Sequence, residues 1–133
     1  MSEWKSDPVN GPTNPASSPD GVLRLGSVIA LRPEREQEYR ALHAEVWPEV
    51  LDALKRAHIR NYNIYVANLP GQKLLFSFFE YHGSDFAADM DRIAADAATR
   101  KWWALTSPCQ SRLPGVSEAQ QWLPLESVFS ALL

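Results

Sequence analysis

Residues 39–47 read Tyr-Arg-Ala-Leu-His-Ala-Glu-Val-Trp and contain a phenol and an imidazole at helical spacing. An α-helix has about 3.6 residues per turn, so Tyr39 and His43 leave the same face of a helix, one turn apart. That face continues as an apolar stripe of Val46, Trp47, Val50 and Leu54. Because a helix turns such a stripe towards the protein core, the pattern predicts that both polar rings lie on the buried side of the first helix.

Two interpretations of the pair remain open at this point. In the first, His43 is a core histidine that donates to a carbonyl, and Tyr39 lies at an amphipathic edge. In the second, both side chains line a pocket, where a histidine can give or take a proton near neutral pH. Pro48 removes one intrahelical hydrogen bond and crowds the preceding turn, so the helix is expected to kink or restart just after His43. Local irregularity beside an inward histidine favours the functional interpretation.

Length and composition indicate a single globular domain, and the charge balance favours a neutral ligand over a charged one. The chain has 133 residues, of which 45% are hydrophobic, and its 13 basic and 16 acidic residues give a net charge of -3. This balance offers no basic surface for nucleic acid or an anionic membrane, and it suits a sugar better than a phosphate compound. Because no apolar run approaches the roughly 20 residues that span a bilayer, and no secretory signal is apparent, we expect a cytoplasmic protein.

The reactive side chains do not suggest a metal or a cofactor. Cys109 is the single cysteine, so it can form neither an intrachain disulfide nor a cysteine metal cluster, and its neighbours include no activating base. It is predicted to be structural. His43, His58 and His82 fall on separate predicted elements without local ligand spacing. We therefore expect no metal and no cofactor.

The amino-terminal half is predicted to hold a tail, two strands and a long helix. Residues 1–22 contain four prolines among small polar residues and are expected to form a disordered tail, leaving residues 23–133 as the folded domain. Residues 24–31 are typical of a strand. A helix follows from Pro33 to about Ala57, kinked at Pro48. Residues 58–67 form a second strand with Ile59, Asn61, Asn63 and Tyr65 on one face and Arg60, Tyr62, Ile64 and Val66 on the other.

The carboxyl-terminal half is predicted to hold a strand, two helices and a last strand. A turn at residues 68–72 and a third strand at residues 73–81 complete an antiparallel hairpin. Ser84 and Asp85 can cap a second helix that runs to about Ala98, and a short helix is expected over residues 100–105. A loop containing Pro108 and Pro114 precedes the last strand, residues 122–132, where Pro124 fits at the start or on an edge.

The order strand, helix, strand, strand, helix, strand is typical of a ferredoxin-like α+β fold. In this fold, helices cover one face of a four-stranded antiparallel sheet. The aromatic-rich strands would leave the other face as an exposed apolar patch in a monomer. We therefore predict a homodimer.

Five stretches in family order resemble the L-rhamnose mutarotase family. They cover nearly all of residues 24–131 and read Glu38-Tyr39-x-x-x-His43-x-x-x-Trp47-Pro48-Glu49, Asn61-Tyr62-x-Ile64-Tyr65, Leu74-Leu75-Phe76, Arg100-Lys101-Trp102-Trp103 and Glu126-Ser127-Val128-Phe129. The resemblance implies a cofactor-free enzyme of the dimeric α+β barrel type. The resemblance implies a 6-deoxyhexose mutarotase with L-rhamnose as the leading substrate, and departures from the family pattern at residues 108–114 and 127–130 leave L-fucose open as the alternative.

The resemblance also implies site residues. It places the catalytic proton donor on His43, and it places sugar-binding residues on Tyr39, Tyr62, Trp102 and Trp103. For the two tryptophans, core packing is the alternative. Adjacent residues on a helix point about 100° apart, so one of the pair is expected to stack on the ligand and the other to pack behind it.

The implied reaction suits these residue types. Mutarotation opens a cyclic hemiacetal and recloses it on the other face of the carbonyl, so it needs one proton delivered to the ring oxygen and one removed from the anomeric hydroxyl. It moves no electrons and forms no covalent adduct. Tyr39 or a water molecule is the candidate partner of His43. A cofactor-independent oxygenase or a non-catalytic sugar-binding module on the same fold remains an alternative.

Overall fold

A computed structural model describes residues 6–7, 11–12, 20–117 and 119–132 of the chain. Two short strands, β1 (Ser6–Asp7) and β2 (Gly11–Pro12), pair with each other in antiparallel orientation. The remaining elements belong to residues 20–132. The predicted disorder of residues 1–22 falls mostly outside the described residues and stays a prediction.

The main sheet is antiparallel throughout and is centred on β3 (Leu23–Leu31). On one side β3 pairs with β5 (Gln72–Tyr81), which in turn pairs with the edge strand β4 (Ile59–Leu69). On its other side β3 pairs with two short strands, β6 (Gln110–Ser111) and β7 (Leu123–Pro124). The order β4-β5-β3-β6 is that of a ferredoxin-like sheet, and the predicted fold class is confirmed.

The predicted last strand, residues 122–132, is wrong in its length. Only Leu123–Pro124 joins the ladder as β7, and the Leu125 amide adds one hydrogen bond of 2.9 Å to the carbonyl of Gly26. The outer edge of β3 is divided between β6 and β7, and Pro124 has no N–H to donate. Beyond this bond the Leu125 side chain lies over Gly26, and residues 126–132 leave the ladder, although their alternating pattern is typical of a strand.

The first helical segment is divided into two helices. A 3₁₀ turn (Pro33–Arg35) precedes α1 (Glu36–Ala44), and α2 (Pro48–Arg56) starts after a gap of three residues. The predicted restart after His43 is confirmed, whereas a single kinked helix to Ala57 is wrong. Pro48 occupies the first turn of α2, where its missing N–H costs nothing and its fixed φ suits a helix start.

The second helical segment also consists of two helices, α3 (Phe86–Ala95) and α4 (Ala97–Thr106). The Asp85 side chain accepts a hydrogen bond from the Ala88 amide, which confirms the predicted cap. Asp96 has extended backbone angles and accepts from the Thr99 amide at 2.9 Å, so it starts a new helix. The predicted bounds, one helix to Ala98 and another over residues 100–105, are wrong because this second cap was not recognised.

A β-bulge changes which residues of β4 face the helices. Arg60 pairs with Glu80 and Asn63 pairs with Phe78, so two residues, Asn61 and Tyr62, lie opposite a single residue of β5. This is the two-against-one count of a β-bulge. The predicted alternation is therefore wrong at the start of the strand, because Ile59 lies on the same face as Tyr62, Ile64 and Val66.

The core lies between the sheet and the helices and consists of two clusters. One contains Ile29, Leu31, Tyr39, Leu75 and Cys109, and the other contains Ala57, Ile59, Tyr81 and Ile93. Cys109 has no exposed surface, in agreement with the structural role predicted for it. Residues from both clusters border the cavity described next.

Candidate active site

A cavity of about 660 Å³ lies between the sheet and the helices. Its walls come from β4 and β5 on one side and from all four long helices on the other. The five residues selected from the sequence all line it: Tyr39, His43, Tyr62, Trp102 and Trp103. They come from α1, β4 and α4, so the fold brings together side chains that are far apart in the chain.

The imidazole of His43 is oriented by its own helix. Its Nδ1 lies 2.9 Å from the carbonyl oxygen of Tyr39. A carbonyl oxygen only accepts hydrogen bonds, so Nδ1 carries the hydrogen and Nε2 holds the lone pair when the ring is neutral. The ring is also packed against aromatic groups, with centroid distances of 4.3 Å to Tyr39 and 5.3 Å to Trp102. Both the tautomer and the plane of the ring are thereby fixed.

Tyr39 is held as a neutral phenol. Its side chain is 4% exposed, and its hydroxyl accepts a hydrogen bond of 3.4 Å from Nε2 of Gln110 on β6. Burial raises the pKa of Tyr39 to about 12, because the phenolate would lose its hydration. At neutral pH Tyr39 can donate and accept hydrogen bonds, but it is not a base that could take a proton from a sugar.

The tryptophan pair is divided between the interior and the surface. Trp102 is 6% exposed and makes edge contacts with His43 and with Trp47, each with a centroid distance of 5.3 Å. Trp103 also lines the cavity but is 44% exposed. Trp102 therefore forms part of the inner wall and supports the imidazole, whereas Trp103 lies at the open side.

Tyr62 reaches the cavity from the sheet. Its ring is tilted against Phe79, with a centroid distance of 5.4 Å, and the residue is 43% exposed. Desolvation raises the pKa of its hydroxyl above the ordinary value, so the group stays protonated. Tyr39 and Tyr62 thus present neutral hydroxyls from a helix and a strand.

Sequence reasoning missed several polar residues of the site. Asn63, Arg40 and Thr99 line the cavity, and Gln110 contacts the Tyr39 hydroxyl. Gln110 is 71 positions from Tyr39 and lies in a segment predicted to be a loop, so no local spacing could have revealed it. Arg40 directly follows Tyr39, and its guanidinium pairs with Glu36 at 2.8 Å.

The rest of the cavity is apolar, with Val46, Val50, Leu54, Ile59, Phe79, Met90 and Ile93 among its lining residues. An apolar cavity with a few polar groups is typical of a small-molecule site. Within residues 20–117 and 119–132, no three His, Cys, Asp or Glu side chains are grouped so that they could hold a metal ion. Across the described ranges, no helix has both the length and the apolar composition needed to cross a membrane.

The fold and the cavity define a class: a ferredoxin-like α+β protein with an internal site for a small, largely uncharged ligand. A family model described as L-rhamnose mutarotase matches residues 24–131. The chain therefore belongs to the L-rhamnose mutarotase family.

Individual relatives agree with this assignment. An L-rhamnose mutarotase of Lactiplantibacillus plantarum is 36% identical over 65% of this chain and 79% of its own length. An L-rhamnose mutarotase of Tolumonas auensis is 30% identical over 81% of this chain and 97% of its own length. A crystal structure of an L-rhamnose mutarotase from Formosa agariphila superposes with a TM-score of 0.61, covering 82% of this chain and 98% of that one. Its identity is 24%, so it supports the fold.

Proposed function

We propose that this protein is an aldose mutarotase that interconverts the α and β anomers of L-rhamnose by ring opening and reclosure. Family membership supports the reaction class. The observation that carries the proposal is the state of His43, whose Nδ1 is fixed on the Tyr39 carbonyl at 2.9 Å within a cavity lined by aromatic side chains. With Nδ1 engaged, Nε2 is the nitrogen that can exchange protons with a sugar.

His43 can serve both proton transfers of the reaction in turn. In its neutral form Nε2 accepts the proton of the anomeric hydroxyl, the C1–O5 bond breaks, and C1 becomes an aldehyde carbon. The ring oxygen O5 receives a proton from the imidazolium or from water, rotation about C1–C2 exposes the other carbonyl face, and the reverse steps close the ring. Protons and electrons balance without a further reactant. A positioned acid or base of this kind typically contributes about 10² to 10⁴ in rate.

The other predicted site residues bind and orient the sugar in this proposal. Trp102 and Trp103 offer flat apolar surface to the C–H face of the pyranose and to its 6-methyl group. Tyr39 and Tyr62 donate to sugar oxygens. Because the Tyr39 phenol has a pKa of about 12 and stays protonated, it is not a base for the anomeric proton, and Tyr39 or a water molecule is the candidate donor of the proton to O5.

Anomer exchange measured by NMR with L-rhamnose and with L-fucose tests this proposal. We expect exchange of L-rhamnose to be accelerated strongly, and L-fucose is the alternative substrate. Uncatalysed rates with both sugars would exclude the proposed substrates. Sugar binding without exchange would instead indicate a binding module, and oxygen uptake with an electron-rich substrate would indicate an oxygenase.

We further propose a homodimer formed through the sheet face opposite the helices. That face carries Tyr65 at 60% exposure, and the segment that follows β7 adds Val128 at 71% and Phe129 at 58%. The Leu125 side chain already lies on this face, since a Cβ added at Gly26 would meet its Cδ1 at 3.6 Å. Exposed apolar groups grouped in this way are typical of an interface. The cytoplasmic location expected from the sequence also stays a prediction.

A further inference from the structure

The β-bulge of β4 contains a residue in an uncommon backbone conformation. Asn61 has a φ of 53°, in the left-handed region, and among the described residues only His58 and Gln121 share a positive φ without being glycine. L-residues avoid this region because the Cβ approaches the following carbonyl oxygen, and asparagine tolerates it better than most residue types. A β-branched residue there would be strongly disfavoured.

Asn61 is also hydrogen-bonded to the neighbouring strand β5. Its Nδ2 donates to Oε1 of Glu80 at 3.0 Å, and its carbonyl oxygen accepts from Nδ2 of Asn63 at 2.9 Å. The Glu80 carboxylate is itself fixed on β5, because it accepts from Nε2 of His82 at 2.9 Å and lies 3.4 Å from Nε of Arg24. The bulge is therefore held in a defined position against β5.

This bulge determines where Tyr62 points. Side chains alternate along a regular strand, so with Ile59 facing the helices, residue 61 would face them and residue 62 would face away. The extra residue at the bulge reverses this order and turns Tyr62 into the cavity, where it packs on Phe79. We propose that Asn61 is a positioning residue, whose left-handed backbone aims the Tyr62 hydroxyl at the sugar. The inference rests on the proposed function.

Steady-state anomer exchange in a set of variants tests this inference. Asn61→Val should raise KM for L-rhamnose about tenfold, equivalent to about 1.4 kcal/mol, with kcat changed by less than about twofold, because binding is lost and the imidazole is untouched. Asn61→Gly should restore most of the affinity, since glycine adopts the left-handed conformation freely. Gln121→Val is the matched control: it places the same strain outside the cavity and should leave KM unchanged.

The combination with Tyr62→Ala distinguishes positioning from general damage. If Asn61 acts through Tyr62, adding Asn61→Val to Tyr62→Ala raises KM no further. Additive effects, or an Asn61→Gly variant as impaired as Asn61→Val, would overturn the inference. An unchanged KM in Tyr62→Ala would overturn the binding role proposed for Tyr62, whereas a raised KM there with an unchanged KM in Asn61→Val would overturn only the positioning role. Circular dichroism and thermal unfolding verify that each variant is folded.

Discussion

His43 donates from Nδ1 to the carbonyl oxygen of Tyr39, one turn earlier in the same helix, at 2.9 Å. Back-bonding of this kind leaves a single ring nitrogen for chemistry and determines which one it is. The rings of the same two residues pack against each other with a centroid distance of 4.3 Å and an interplanar angle of 33°, so the pair predicted from the sequence holds a fixed position in the cavity wall. Orientation of a histidine by its second nitrogen is a common device where the first one exchanges protons.

The two tryptophans should respond differently to truncation. Trp103 is exposed on the open side of the cavity, so Trp103→Ala should weaken L-rhamnose binding with little change in thermal stability. Trp102 is buried, so Trp102→Ala should lower the free energy of unfolding by about 3–5 kcal/mol as well as weaken binding. Calorimetric titration and thermal unfolding measure both quantities. Unchanged affinity in both variants would show that the pair only packs the core.

The raised pKa of Tyr39 predicts an alkaline loss of stability. The unfolded phenol ionises near its ordinary value of 10.0, whereas the folded one ionises at about 12. The folded state therefore binds more protons in this window, and its stability should fall by up to about 3 kcal/mol as the pH rises from about 10 to 12. Urea unfolding across this range should show the fall in the native protein and a shallower one in Tyr39→Phe. Equal slopes would contradict the burial of this hydroxyl.

A buried carboxylate on the inner face of α3 should make the free energy of unfolding fall at acid pH. Asp89 is 2% exposed and accepts hydrogen bonds from Tyr81 and His58, and it pairs with Arg92. The Tyr81 hydroxyl, with His58 and Arg92, holds the pKa of this carboxyl below its ordinary value. The ionised carboxylate contributes to the free energy of unfolding above about pH 4, the pKa of an aspartate in the unfolded chain. This contribution is lost as the pH falls through the lower pKa of the folded state.

We therefore expect Asp89→Asn to lower the melting temperature at neutral pH and to flatten the acid limb of the stability curve. The exposed residue Asp91 of the same helix supplies the control, Asp91→Asn, which should change neither quantity. Thermal unfolding between pH 2 and pH 7 makes the comparison. A melting temperature of Asp89→Asn that matches the control would contradict a stabilising role for this network.

If the dimer forms through the sheet face opposite the helices, a charged side chain introduced on that face should dissociate it. Phe129→Asp should shift the sedimentation coefficient from dimer to monomer at micromolar concentration. Leu105→Asp is the control, because Leu105 is 41% exposed on α4 and lies on the helical side. A native protein that sediments as a monomer, or a dimer that tolerates Phe129→Asp while Leu105→Asp dissociates it, would contradict this arrangement.

The parts of the fold that follow local rules could be predicted from the sequence. Hydrophobic spacing identified β3, β4, β5 and the order of elements, and Pro48 correctly predicted a restart in the first helical segment. The orientation of Tyr39 and His43 towards the cavity could also be predicted, because it depends only on the helical periodicity of α1. The Asp96 cap was missed because Ala97 and Ala98 continue a helical pattern across it.

The parts that depend on distant contacts could not be predicted. The bulge at Asn61 is visible only in the pairing of β4 with β5. Because of it, Ile59 shares a face with Tyr62 and not, as the regular alternation had predicted, with Asn61. The last strand pairs with β3 only at Leu123–Pro124, and no pattern within residues 122–132 reveals where that pairing ends. For the same reason, Gln110 became a neighbour of the Tyr39 hydroxyl only once the sheet was assembled.

The most direct test of the proposed chemistry is the rate of L-rhamnose anomer exchange, measured by NMR, in the native protein and in His43→Ala. We expect acceleration by the native protein and a rate at the uncatalysed level for His43→Ala, with an unchanged circular dichroism spectrum and retained sugar binding. Gln37→Ala, a change at an exposed position of the same helix outside the cavity lining, should exchange at close to the native rate. Native-like exchange by a folded His43→Ala variant would contradict the role of this imidazole.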